Sequence, residues 1–107
     1  MMWQLHGAVT RIPVGDSAFP LRVAGHVLQL RGDWNMPGEE ADARQWTKAL
    51  RTVLDPFSRG MYVNHLSEPS DDYVKAAYGP NYGRLVDIKK KYDPTNLLAL
   101  NPNIKPN

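Results

Sequence analysis

The sequence predicts an α+β domain, a small antiparallel sheet with helices packed on one face. Three observations predict it. Short stretches alternate apolar and polar residues with period two, longer stretches repeat apolar residues every three or four positions, and the two kinds follow one another irregularly rather than in βαβ order. A length of 107 residues allows a single domain over residues 1–107. With 42% hydrophobic and 22% charged residues, the composition is that of a globular chain. Such a chain buries roughly 65% of its unfolded surface, so its core is thin unless an oligomer or a second domain covers one face.

The first strand is predicted over His6–Ile12, where Ala8, Thr10 and Ile12 alternate with Gly7, Val9 and Arg11 before Pro13 ends the run. Gly15-Asp16-Ser17 then reads as a turn, and Phe19 before Pro20 is pushed out of the helical region, so this stretch is a loop. Alternation returns over His26–Trp34, with Leu28, Leu30 and Trp34 on one face and Gln29, Arg31 and Asp33 on the other. Asn35 is placed to cap a helix whose first turn holds Pro37 and Glu39-Glu40. Ala43, Trp46, Leu50, Val53 and Leu54 form its apolar stripe, and Asp55-Pro56 stops it. A third strand is predicted over Met61–Leu66. Ser70 caps a short helix to Tyr78-Gly79, and a last helix after Pro80 carries Tyr82, Leu85, Ile88 and Tyr92 on one side, with Asp87 and Lys91 paired. The tail from Thr95 to Asn107 should run extended, held by Leu97, Leu98 and Leu100.

Several function classes are excluded. Cysteine is absent, which removes disulfides, thiolate catalysis and a cysteinyl cofactor link. No apolar run reaches the roughly 18 residues that span a bilayer. Met1-Met2-Trp3-Gln4 has neither the basic nor the apolar part of a signal peptide. The expectation is a soluble, cytoplasmic protein with no membrane partner. A net charge of +2 with only Lys89-Lys90-Lys91 clustered describes a solvated helix face, and no nucleic-acid partner is expected. His6, His26 and His65 sit on different elements without ligand-pair spacing, so no metal site is expected. No G-x-S-x-G elbow, phosphate loop or dinucleotide fingerprint occurs, so a nucleotide cofactor has to be bound elsewhere. Asp71-Asp72 and Glu39-Glu40 open helices, where dipole compensation accounts for them.

The predicted third strand carries the chemistry. Period two sends Tyr62, Asn64 and Leu66 to one face and Met61, Val63 and His65 to the other, so a phenol and a carboxamide share a face. Spacing leaves two readings open: a packed Tyr beside a solvated Asn, or a hydrogen-bonding, proton-accepting Tyr beside an amide that orients a ligand. A phenol titrates near pH ~10 and needs positive charge or donated hydrogen bonds to act as a base near neutrality.

An ordered series of motifs goes further. Tyr62-Val63-Asn64-His65, Ala76-Ala77-Tyr78-Gly79-Pro80-Asn81-Tyr82, Arg84-Leu85, Lys89-Lys90-Lys91-Tyr92-Asp93-Pro94-Thr95-Asn96-Leu97 and Leu100-Asn101-Pro102-Asn103-Ile104-Lys105-Pro106 resemble the C-terminal segment of berberine bridge enzyme-like FAD-linked oxidases. Gly7-Ala8-Val9, Ala18-Phe19-Pro20-Leu21-Arg22 and Trp46 extend the resemblance over nearly the whole chain. It implies an oxidoreductase in which a large N-terminal domain, missing here, binds FAD. A substrate is oxidised by hydride transfer to the flavin while a side chain takes the proton. By matching position the base is Tyr62, Asn64 lies near the flavin ring, and the Asn-rich turn maps to Asn101 and Asn103. His65 departs from the family's second aromatic, Tyr, and strand alternation puts it on the face opposite Tyr62. FAD is not expected to be held by this chain alone. The expected partners are an FAD-binding domain or chain, or a second copy by self-association, together with a small-molecule substrate. The alternative is a free-standing small-molecule binding module, or a redox-silent catalyst that kept the pocket and lost the flavin, in dimeric form.

Overall fold

The computed structural model describes residues 1–66, 70–100 and 102–106, which fall into two compact units. The first comprises Met1–Gln4 and His26–Arg59, the second Leu5–Gly25 and Gly60–Asn107. The class is α+β with a small antiparallel sheet, as the patterning implies.

The first unit is built on a two-stranded ribbon of β1 (Met2–Leu5) and β2 (Gly25–Leu28). Its register is fixed where Met1 and Gln29 exchange bonds: the terminal ammonium donates to the Gln29 carbonyl at 3.1 Å and the Gln29 N–H returns to Met1 at 2.8 Å. This reciprocal pair defines an antiparallel ladder. The unit's helix, numbered below, spans Glu40–Leu54. Glu39, not Asn35, stands at the N-cap and makes no side-chain bond to the helix; its carboxylate accepts the preceding Asn35 and Met36 N–H groups at 3.2 Å each. Glu40 and Asp42 occupy the first turn, where negative charge is favoured, and Arg44 donates back to Glu40 at 2.8 Å. Asp55-Pro56 stops the α-helix at Leu54 as expected, and a 3-10 turn through Asp55–Phe57 follows, with Pro56 in its first positions.

The apolar stripe of this helix is present but only partly covered: Ala43, Leu50 and Leu54 are half-buried. Trp46, Val53 and Phe57 are 55%, 66% and 81% exposed, and no residue of Glu40–Leu54 is buried. The first unit has no buried apolar side chain among its described residues.

Three helices belong to the second unit. In chain order with the one above, they are α1 (Ala8–Arg11), α3 (Asp71–Tyr78) and α4 (Tyr82–Tyr92), with α2 being Glu40–Leu54. The core is small: Val74 and Ala77 of α3 are its buried apolar residues among those described. Ser70 caps α3 as predicted, its hydroxyl accepting the Tyr73 N–H at 3.3 Å. A 3-10 turn at Gly79–Asn81 passes the chain into α4.

Three predicted strands are corrected. His6–Ile12 is not a strand, because Gly7 takes φ 66° and turns the chain into α1. The Thr10 hydroxyl and N–H both close on the Gly7 carbonyl, at 2.9 and 3.2 Å. The second strand is shorter than His26–Trp34 and ends at Leu28, which is itself exposed while Val27 is half-buried. Met61–Leu66 is a 3-10 turn at Val63–His65 rather than a strand.

The tail is also held differently. Leu97, Leu98 and Leu100 are 83%, 74% and 91% exposed and bury little against the described residues. The tail is held instead by Asp93, at the C-terminal end of α4. Its carboxylate accepts the Leu97 and Leu98 N–H groups at 2.7 and 3.0 Å and the Lys89 ammonium at 2.5 Å, and that ammonium also reaches the Leu98 carbonyl at 2.7 Å. Lys89–Asp93 is thus the ion pair on this helix, while Lys91 lies over the Tyr92 ring at 5.2 Å. Further on, Lys105 pairs with Asp71 at 2.6 Å.

Candidate functional site

The candidate site lies in the second unit and begins with a tight turn. The His65 N–H donates to the Tyr62 carbonyl at 3.0 Å and the Leu66 N–H to Val63 at 3.2 Å. A 3-10 turn has three residues per turn, so positions i and i+3 stand one above the other. That geometry brings the Tyr62 and His65 rings to 4.7 Å between centroids at 83°, and overturns the expectation that His65 lies on the opposite face. The tight turn also folds Asn64 back on Tyr62: its amide donates to the phenol oxygen at 2.9 Å. The expected juxtaposition of Tyr62 and Asn64 is therefore present, by winding rather than by strand alternation.

The loop after α1 supplies the rest. Phe19 meets Tyr62 edge to face at 5.8 Å and 84°. The Arg22 guanidinium stands 5.0 Å from the Phe19 ring centre, donates to Ser17 Oγ at 2.5 Å and to the Val9 carbonyl at 3.3 Å, and shields its own Nε from solvent. The loop is tied down from the start of α4. Asn81, buried, donates through Nδ2 to the Val14 and Ser17 carbonyls at 2.8 and 3.0 Å, and Arg84 reaches the Gly15 carbonyl at 2.8 Å. Residues 64 to 67 positions apart in sequence thereby fix the support of the Tyr62 ring.

Tyr62 is half-buried and Asn64 exposed, so the phenol oxygen faces an open surface. A small cleft of about 110 Å³ lies between residues 15–18 and α4, but neither Tyr62 nor Asn64 lines it. Pockets for small molecules run from roughly 300 to 1,000 Å³, so this cleft is no substrate pocket. Asn103 is half-buried in the tail and takes no part in the Tyr62–Asn64 bond. Asn101 lies outside the described residues. Among the described residues no three His, Asp or Glu side chains converge on a metal position.

Residues 61–105 match the family model described as berberine and berberine like. The matched stretch begins one residue before Tyr62 and takes in α3, α4 and the Asp93 anchor. Residues 61–105 belong to the berberine and berberine-like family. The likeness to relatives runs well beyond the berberine-like segment. The chain is 33% identical over 107 residues to the uncharacterized FAD-linked oxidoreductase YgaK of Bacillus subtilis, covering 98% of this chain and 24% of the relative. It is 30% identical over 100 residues to YvdP of the same organism, another uncharacterized FAD-linked oxidoreductase, covering 94% and 22%. It is 30% identical over 105 residues to a carbohydrate oxidase of Microdochium nivale, covering 92% and 21%. The chain thus spans less than a quarter of the length of each of these relatives.

The donors in the berberine-like segment suit one part of FAD and not another. A phenol and a carboxamide can line the edge of a flavin ring. A pyrophosphate is suited by backbone N–H groups at a helix start free of negative charge. The start of α3 does not offer this, because the Ser70 hydroxyl accepts the Tyr73 N–H and Asp71 and Asp72 stand in the first turn.

Sequence reasoning placed Tyr62 and Asn64 but missed their support. Phe19, Arg22 and Asn81 all lie in the motifs that carried the resemblance, yet nothing in their spacing tells that they converge. His65 departs from the motif and stands beside Tyr62, not on the face opposite it.

Proposed function

We propose that this chain is the C-terminal substrate-pocket segment of a berberine bridge enzyme-like FAD-dependent oxidoreductase, inactive without an FAD-binding domain. The observation that carries the proposal is the 2.9 Å hydrogen bond from Asn64 to the Tyr62 hydroxyl, within the segment that matches the family. FAD, held by the partner domain, supplies the hydride acceptor. Tyr62 takes the proton from a small-molecule substrate, Asn64 holds the phenol oxygen in place, and Phe19 and His65 fix the ring. The exposed Trp46 and Val53 of α2 and the exposed Tyr92, Leu97 and Leu98 support a partner, since apolar surface of this kind is normally buried against another chain or domain. Asn103 and Asn101 belong to the same pocket in this proposal.

The test is reconstitution with a flavin-loaded FAD-binding domain from a relative, with flavin reduction by substrate followed in stopped flow. Tyr62→Phe should lower the rate by roughly two to four orders of magnitude, the range for losing a general base, with the far-UV spectrum unchanged. Full activity in the Phe variant would remove Tyr62 from the mechanism.

A further inference from the structure

The 3-10 turn sets an imidazole against the phenol that the proposed function uses. His65 is fixed there by the bond from its own N–H to the Tyr62 carbonyl at 3.0 Å, and the two rings stand 4.7 Å apart at 83°. The other ring on Tyr62, Phe19, cannot carry charge, nor can the Asn64 amide that holds the hydroxyl. The Tyr of the motif that this sequence resembles would carry none near neutral pH either. An imidazole can: it is the side chain that changes charge between about pH 5 and 8. An imidazolium this close attracts negative charge on the phenol oxygen, and the neutral ring does not.

The surrounding groups leave that window to the imidazole. Across Phe19 stands the Arg22 guanidinium. On α3, which packs against this turn, the charged and titratable groups are Asp71, already paired with Lys105, then Asp72, Tyr73, Lys75 and Tyr78. Carboxylates, amines, phenols and guanidinium groups ordinarily change charge outside it.

We infer that His65 is a positioning residue for Tyr62 whose charge state tunes how readily the phenol gives up or takes its proton. The inference rests on the reading of Tyr62 as the pocket phenol, but its test needs no flavin, no partner domain and no turnover. A failed reconstitution and a failure of this coupling are therefore separate results.

The full chain is labelled with ¹³C at tyrosine Cζ and at histidine Cε1, and NMR spectra are taken from pH 5 to 8.5. The Tyr62 line is assigned by its loss in Tyr62→Phe. It should move through one step, and the His65 line should move through a step with the same midpoint. The step should vanish in His65→Phe, with the circular dichroism spectrum unchanged, and His65→Gln carries the same test if the Phe variant fails to fold. A flat Tyr62 line in the wild type would overturn the inference. So would a step whose midpoint differs from that of His65, or one that persists without His65 and so belongs to His6 or His26.

Discussion

Asn81 offers the sharpest test of how the site is held. Its side chain is 8% exposed and donates two hydrogen bonds, at 2.8 Å to Val14 and 3.0 Å to Ser17. In Asn81→Ala both bonds are lost and two partly buried carbonyls keep no partner from this side chain. Each such bond contributes a net ~0.5–1.5 kcal/mol, and an acceptor left unsatisfied raises the loss toward the upper end. The sum is about 2–3 kcal/mol, which in a domain of this size lowers the melting temperature by roughly 10–20 °C. Urea unfolding followed by circular dichroism measures the first figure, and a thermal scan the second. Asn81→Asp should be at least as damaging, because it turns a donor into an acceptor facing two carbonyl oxygens. The loop from Val14 to Ser17 leads directly to Phe19, so both variants should also loosen the Phe19–Tyr62 contact. A loss below about 0.5 kcal/mol in Asn81→Ala would show that the loop is held by something else, and the account of the support would fail.

Asp93 predicts a pH dependence. The Lys89 hydrogen bond, with the Leu98 and Leu97 N–H groups, holds its carboxyl below the ordinary 3.8, against the opposing effect of burial. Because the folded value lies under the unfolded one, its stabilisation is complete above pH 3.8 and is lost as pH falls through the lower, folded value. Acid unfolding of Asp93→Asn should be correspondingly less steep below pH 3.8. Gly79 has φ 51° and ψ −127°, a conformation side chains rarely adopt, so Gly79→Ala should cost about 1–3 kcal/mol by urea unfolding even though the new methyl group meets only Pro20 Cβ, at an ordinary contact of 4.0 Å. Leu97→Ser and Leu100→Ser, at positions 83% and 91% exposed, should leave the stability of the isolated chain within about 0.5 kcal/mol; a larger loss would restore the leucines as anchors of the tail.

What was legible in the sequence follows from how local each signal is. The caps and stops of α3 and α4 were readable because Ser70, Gly79 and Asp93-Pro94 act within a turn of where they sit. The stripe of α2 was readable because 3.6-residue periodicity is a property of one helix, but whether anything covers it is not. Alternation misled at His6–Ile12 and Met61–Leu66 because six or seven residues fit period two by chance. There the decision lay with the positive φ of Gly7 and with the N–H bonds that wind Val63–His65. Tail anchoring was assigned to hydrophobicity, when a buried carboxylate with three donors supplies it.

The misread turn matters less to the candidate chemistry than to its control. A strand would have kept His65 away from Tyr62 while leaving Asn64 beside it, so both local structures support a phenol and an amide acting together. Only the 3-10 turn adds a titratable ring to the pair. What neither arrangement provides is a closed site. Tyr62 is half-buried, Asn64 is exposed, and the cleft of about 110 Å³ beside α4 includes neither. Hydride transfer needs water kept away from the reacting centre, and preorganised dipoles act strongly only where water is excluded. In the proposed enzyme that enclosure has to come from outside the described residues, which is why Tyr62→Phe should be silent in the isolated chain and costly only after a flavin-bearing domain has closed over it.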